Sequence, residues 1–177
     1  MKKALLITVF FIAFLIIFFL QSNFFSWYNI AGIQPNLFVI FILFLGLFLG
    51  RTYGITLGVI FGLLLDLFIG KRIGINGIVL GICGLIGGLL GKNFSKENRI
   101  TFMIITMAVT ILCEIINYTL QIILLNAEPI FIEFMKIVII EALYNAIIVM
   151  IIYPLIQKLG EKTEEVLTNR NSFMKYY

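Results

Sequence analysis

The stretch Gly62–Gly77, GLLLDLFIGKRIGING, decides how the chain is read. One carboxylate, Asp66, and two adjacent cations, Lys71 and Arg72, stand among apolar residues and glycines. In a soluble core these ions would be buried at high cost; in a membrane they would form a polar device held inside a helical hairpin. The surroundings choose between the two. No Asp, Glu, Lys or Arg occurs from Ala4 to Gly50 or from Ile73 to Gly91, and such runs reach or exceed the roughly 20 residues that span a hydrocarbon core. Hydrophobic residues make up 62% of the 177 and charged residues 12%, with a mean hydropathy of +1.12. Soluble domains run at about 45–50% apolar and about 25% charged, so a water-soluble fold could not cover this much apolar surface. The fold class expected is all-α integral membrane protein.

Helices are expected near Ala4–Leu20, Pro35–Leu49, Tyr53–Ile69, Ile75–Leu90, Ile100–Leu125 and Ile137–Gln157, about six transmembrane helices in a compact bundle. They fill a transmembrane domain over residues 1–158, followed by a short cytoplasmic tail over 159–177 that reads as a helix fraying into a disordered end. Met1-Lys2-Lys3 before the apolar Ala4–Leu20 resembles a signal peptide, but that apolar run is long and no A-x-A-like site follows it, so a retained first helix is expected. Pro35 suits the first turn of the second helix, where its missing N–H is not needed, and the aromatic Phe24–Tyr28 segment suits a membrane interface. Lys and Arg concentrate at Lys2–Lys3, Arg51, Lys92–Arg99 and Lys158 onward. Positive charge is retained in the cytoplasm, which places both termini on the cytoplasmic side and the loops Gln21–Gln34 and Asn126–Lys136 outside. Lys71 and Arg72 then fall in an outward turn and need another reason to be there.

Two patterns carry the candidate function. Gly54, Gly58 and Gly62, then Gly77 and Gly81, recur at four-residue steps; small residues on one helical face let backbones approach closely in lipid, so these are expected to be helix-packing positions. An ionisable group at the centre of a lone membrane helix costs about 2.5–3.5 kcal/mol, so Asp66, Glu114 and Glu141 should turn inward. Their positions along their helices put them in one layer toward the outer side, with Lys71 and Arg72 reaching down over carboxylates otherwise left unpaired. Asn117 joins Glu114 on the polar stripe Thr110, Glu114, Asn117, Tyr118, Gln121; Asn145 joins Glu141 and Tyr144; Asn76 adds a hydrogen-bonding amide. The bland reading of this network is helix-holding glue; the sharper ones are partner docking, ligand or ion handling, and proton relay.

The sequence points away from an enzyme. It contains no His, no H-E-x-x-H, no G-x-S-x-G and no phosphate-cradling G-x-x-x-x-G-K-[ST], so no catalytic residue, metal ligand or cofactor is assigned. Cys83 and Cys113 stand alone in apolar runs and read as packing residues. The net charge of +4 follows from loop retention and gives no basic face for nucleic acid.

The order and spacing of several pieces resemble the rod shape-determining protein MreD family of bacteria over most of the chain. These pieces are Pro35-Asn36-Leu37, Gly62–Asp66 with Gly70, Gly74 and Gly77, the Glu114 region, Ala142-Leu143-Tyr144-Asn145-Ala146, and Tyr153-Pro154-Leu155. Asn36 departs from the resemblance, since the family usually shows an acid there. The resemblance implies a non-enzymatic scaffold of the elongation machinery that maintains cell shape. Its implied partners are an MreC-like single-pass periplasmic protein, MreB filaments, and the membrane glycan polymerase and transpeptidase of peptidoglycan synthesis. It also implies a fold related to the substrate-binding subunits of energy-coupling-factor vitamin transporters, and a subunit of such a transporter is the alternative. A binding subunit should enclose a polar pocket of a few hundred Å³, whereas a scaffold should fill that volume; the abundance of Phe and Ile leans toward filling.

Overall fold

Uninterrupted apolar sequence without strand-like alternation leaves the helix as the element that satisfies its own backbone in lipid. The computed structural model describes residues 2–69, 73–91, 98–125 and 129–173, with side chains over 8–69, 73–91, 98–124 and 129–160. Helix α1 (Lys2–Phe19) runs through a π-helical turn at Leu20–Phe24 into the short α2 (Phe25–Trp27). Then follow α3 (Leu37–Leu49), α4 (Arg51–Phe68), α5 (Ile75–Leu90), α6 (Arg99–Leu125) and α7 (Phe131–Phe173). Among the described residues there is no strand, only a bridge between Ile30 and Ile33.

Among the described residues four segments are long and apolar enough to cross a membrane: Thr8–Trp27, Arg51–Phe68, Arg99–Leu124 and Phe131–Gly160. The other two of the six expected helices, α3 and α5, have 13 and 16 residues. At about 1.5 Å per residue they fall short of a hydrocarbon core roughly 30 Å thick. Helix α3 is buried from Leu37 to Phe48 except at Phe41, so protein rather than lipid surrounds it and bilayer thickness does not set its length. The rings hold it centrally. Phe14 of α1, fully buried, lies 5.5 Å from Phe38 of α3 and 4.8 Å from Phe61 of α4.

Boundaries differ from expectation at the starts of α3 and α7 and at the end of α7. Pro35 precedes α3 instead of opening it, because Asn36 is the N-cap and its Oδ1 accepts from the Val39 N–H at 3.3 Å; a short polar side chain is favoured at that position. Helix α7 starts at Phe131, ahead of the expected Ile137, with Glu133 in its first turn, where the helix dipole favours an acid. It also runs unbroken past residue 158, so the expected edge of the tail falls within a helix.

Helices α4 and α5 lie backbone against backbone. A Cβ on Gly54 would strike the Gly84 carbonyl, one on Gly58 the Leu80 carbonyl, and one on Gly62 would stand 2.6 Å from the Asn76 carbonyl carbon and 2.7 Å from the Gly77 Cα. From the α5 side, Gly81 faces a Val59 methyl at 2.8 Å, and Gly77 faces the Leu63 side chain at 3.1 Å. Gly46 brings α3 into the same contact, its Cβ position 2.6 Å from the Gly84 carbonyl oxygen. In lipid such contact is the main source of helix association.

The two sides differ in how they can yield. Gly62→Ala drives a methyl into fixed backbone and is expected to cost about 1–3 kcal/mol as overpacking, despite the helix propensity gained. Gly77→Ala meets only a side chain that can rotate, and should stay within about 1 kcal/mol of wild type. Thermal unfolding of the two variants in mild detergent checks the order, and equal losses would contradict it.

Candidate functional site

The α4–α5 turn is closed by Asp66, which is only 2% exposed. Its Oδ2 accepts from the N–H of Gly74 at 2.8 Å and of Gly77 at 3.2 Å, and its Oδ1 from the Asn76 N–H at 3.1 Å and Asn76 Nδ2 at 2.9 Å. Gly74, at φ +115°, adopts the left-handed conformation that turns these first amides of α5 toward the acid, a region glycine enters freely. A carboxylate at a helix N-terminus meets both free N–H groups and the positive end of the dipole. The hairpin itself thus supplies four donors to the Asp66 carboxylate, and the expected pairing with a cation falls on residues outside those described. Lys71 and Arg72 lie outside the described residues.

Beside this turn the loop before α3 is fastened by side chains from distant helices. Gln21 donates to the Pro35 carbonyl at 2.6 Å and accepts from the Leu37 N–H at 3.0 Å. Asn145, fully buried on α7, accepts from the Asn36 N–H at 2.8 Å and donates to Thr110 of α6 at 3.0 Å. Tyr144 donates to the Tyr28 carbonyl at 2.6 Å. These bonds hold the α1–α3 connection against α6 and α7 at the same end of the bundle as the Asp66 turn.

Between these parts is a cavity of about 450 Å³, lined on its polar side by Gln21, Gln34, Asn36, Asn76, Asn117, Glu114 and Glu141. Among the described residues the expected filling is not found: Phe38, Leu65, Val79 and Leu80 wall the volume without occupying it. Glu141 is 7% exposed, its carboxyl lies beside those of Glu114 and the Asn36 side chain, and its Oε1 is enclosed with no hydrogen-bond donor. A second cleft of about 240 Å³ shares Glu114, Asn117 and Ile137 with the first and continues between α6 and α7 to Gln121 and Glu133. There the Tyr118 ring stacks on Phe134 at 4.1 Å, and its buried hydroxyl has no partner.

Of the residues singled out from sequence, Asn76, Glu114, Asn117 and Glu141 share the cavity. Asp66 stands behind Asn76, and Asn145 is turned to Asn36 and Thr110. Sequence reasoning missed Gln21 and Gln34, which sit in an uncharged loop whose only signal was two amides in an apolar context. Among the described residues no group of three or more His, Cys, Asp or Glu is placed to hold a metal.

The family model for rod shape-determining protein MreD matches residues 1–163 of the 177. The chain belongs to the MreD family. No curated protein and no solved structure matches it. MreD membership makes it an integral membrane protein of rod shape determination, associated with the MreBCD shape complex. The Asn36 side chain stands beside the Glu141 carboxyl, where the resemblance implied an acid. The amide present caps α3 instead.

Asp66→Ala leaves the turn amides of a buried helix start without an acceptor and is expected to lower stability by about 3–5 kcal/mol. Asp66→Asn retains one acceptor oxygen and should lose less. Membrane abundance and thermal unfolding of the two variants check this; an unaffected Asp66→Ala protein would refute the capping role.

Proposed function

We propose that this protein is a non-enzymatic scaffold subunit of the bacterial rod complex, whose cavity between α3, α5, α6 and α7 receives the membrane-proximal segment of a single-pass, MreC-like periplasmic partner. Through that partner it helps couple cytoplasmic MreB filaments to the glycan polymerase and transpeptidase. The cavity carries this reading: a polar recess of about 450 Å³ at one end of the bundle, in a family of shape determination. Orientation has its own support. Arg51 at the start of α4, Arg99 at the start of α6, and Lys158 on α7 gather at the end opposite the cavity, which the retention of positive charge assigns to the cytoplasm. The cavity end then faces the periplasm of the inner membrane, with Trp27, 88% exposed, at the headgroup level. The tail from residue 159 extends into the cytoplasm.

One observation favours a second reading. The cavity volume lies within the roughly 300–1,000 Å³ of small-molecule sites, as a substrate-binding subunit of the vitamin-transporter kind requires.

Ile137→Trp, which places an indole in the volume shared by both clefts, separates the two. As a scaffold, the variant should keep its abundance yet lose co-purification of the co-expressed MreC-like partner and lose rod shape. Retention of both, or recovery of a bound vitamin or an energising ATPase pair with the wild-type protein, would favour the transporter. Cysteines placed singly at Trp27 and Asn98 in a Cys83→Ala/Cys113→Ala background should react with an impermeant maleimide from the periplasmic and the cytoplasmic side respectively.

A further inference from the structure

Among the described residues the cavity is acid without a counterion. Its two carboxyls, Glu114 of α6 and Glu141 of α7, lie side by side, and its other polar lining is made of the amides Gln21, Gln34, Asn36, Asn76 and Asn117. Among the described residues no Lys or Arg lines it; Lys71 and Arg72, in the turn between the lining residues Ile69 and Asn76, lie outside them. Lys136, one residue before the lining Ile137, is exposed and outside the lining, while Arg51, Arg99 and Lys158 belong to the other end. Several of the donors near at hand are committed, while the Tyr118 hydroxyl in the adjoining cleft has no partner. Asn145 bonds Asn36 and Thr110, Asn76 bonds Asp66, and Gln21 bonds the backbone at Pro35 and Leu37. Glu141 Oε1 is therefore a buried acceptor, lining an open volume, with nothing to accept from. Leaving a buried acceptor unmade costs about 1–3 kcal/mol, and more when it is charged.

We propose that the group received here is a cation: a Lys or Arg side chain on the partner's membrane-proximal segment enters the cavity and places its head between Glu114 and Glu141. The inference rests on the docking reading above and specifies its chemistry. An ammonium or guanidinium supplies several N–H donors, one of them to the unpartnered Glu141 Oε1, and a positive charge beside two neighbouring carboxyls favours their ionised form. The amide ring around the pair accepts the remaining N–H groups. A partner helix brings such a residue at little cost, since long basic side chains at membrane helix ends extend toward the interface in any case.

The test measures association of the full chain with the co-expressed single-pass partner, both purified in mild detergent, for wild type, Glu114→Gln/Glu141→Gln and Ile137→Trp. The double Gln variant is expected to keep its unfolding midpoint or raise it, because it removes a repulsive buried pair, yet to bind at least about thirty-fold more weakly. Substituting the partner's membrane-proximal Lys and Arg by Gln, one at a time, should identify one position whose loss is non-additive with Glu141→Gln in a double-mutant cycle. If the double Gln variant binds like wild type while Ile137→Trp does not, docking stands and the cation is overturned. If neither change affects binding, both readings fall. A lipid amine is the other source of the same chemistry. In nanodiscs without the partner, phosphatidylethanolamine should protect the chain against heat no better than phosphatidylglycerol; protection by phosphatidylethanolamine that disappears in Glu141→Gln would make the occupant a headgroup and overturn the proposal.

Discussion

Where the chain reverses between α4 and α5, lipid offers no water to the amides of a new helix, and Asp66 stands in for it. Four donors converge on one carboxylate, and that single convergence sets how far apart the two helices can be at the turn. Once Gly62 is held against Asn76 and Gly77, the glycines further along, Gly58 and Gly54, meet Leu80 and Gly84 one turn at a time. Backbone contact of this kind tolerates no slip, since a shift of one residue would put Val59 or Leu63 where a glycine must be. The acid thus fixes register, and the glycines convert register into close packing.

Polar fastening continues from the turn into the rest of that end. Asn76 gives one hand to Asp66 and lines the cavity with the other part of its side chain. Across the recess, Asn145 links α7 to α6 through Thr110 and to the start of α3 through the Asn36 amide, while Gln21 closes the α1 side onto Pro35 and Leu37. Each bond is modest by itself in a membrane, about 0.6–2 kcal/mol. Together they hold four separate chain segments around a volume that no side chain fills.

The hairpin was legible in the sequence because its components are local: an acid, a turn with glycines and a four-residue glycine period can all be read along one strand of text. Inward placement of Glu114, Asn117, Glu141 and Asn145 was legible as well, since ionised and amide groups have few other places to go in lipid. Two things were not. The shortness of α3 follows from its being surrounded by protein, which depends on how α1, α4, α5 and α7 pack around it, and no period in its own residues encodes that. The cavity is defined by what fails to fill it, and Gln21, on its rim, acts through backbone atoms of Pro35 and Leu37, far from it in sequence. Abundant Phe and Ile suggested filling because composition counts side chains without saying where they point; Phe14, Phe38 and Phe61 stack in the middle of the bundle instead.

That central stack explains why the far end can stay open. The aromatic layer and the glycine contact between α4 and α5 seal the bundle below the recess, so stability does not depend on packing the polar end. Burial of Glu141 with an unmatched oxygen is unfavourable in the free chain, and the rest of the fold bears that cost. A chain selected for stability alone would place Leu or Phe at 114 and 141 and lose the recess, since such replacements of buried polar groups are often neutral or stabilising. Retaining two carboxyls there is consistent with a site whose energetics are completed by another molecule. The unmatched atom at Glu141 is an acceptor, Oε1, and that is the observation from which a cationic occupant is proposed.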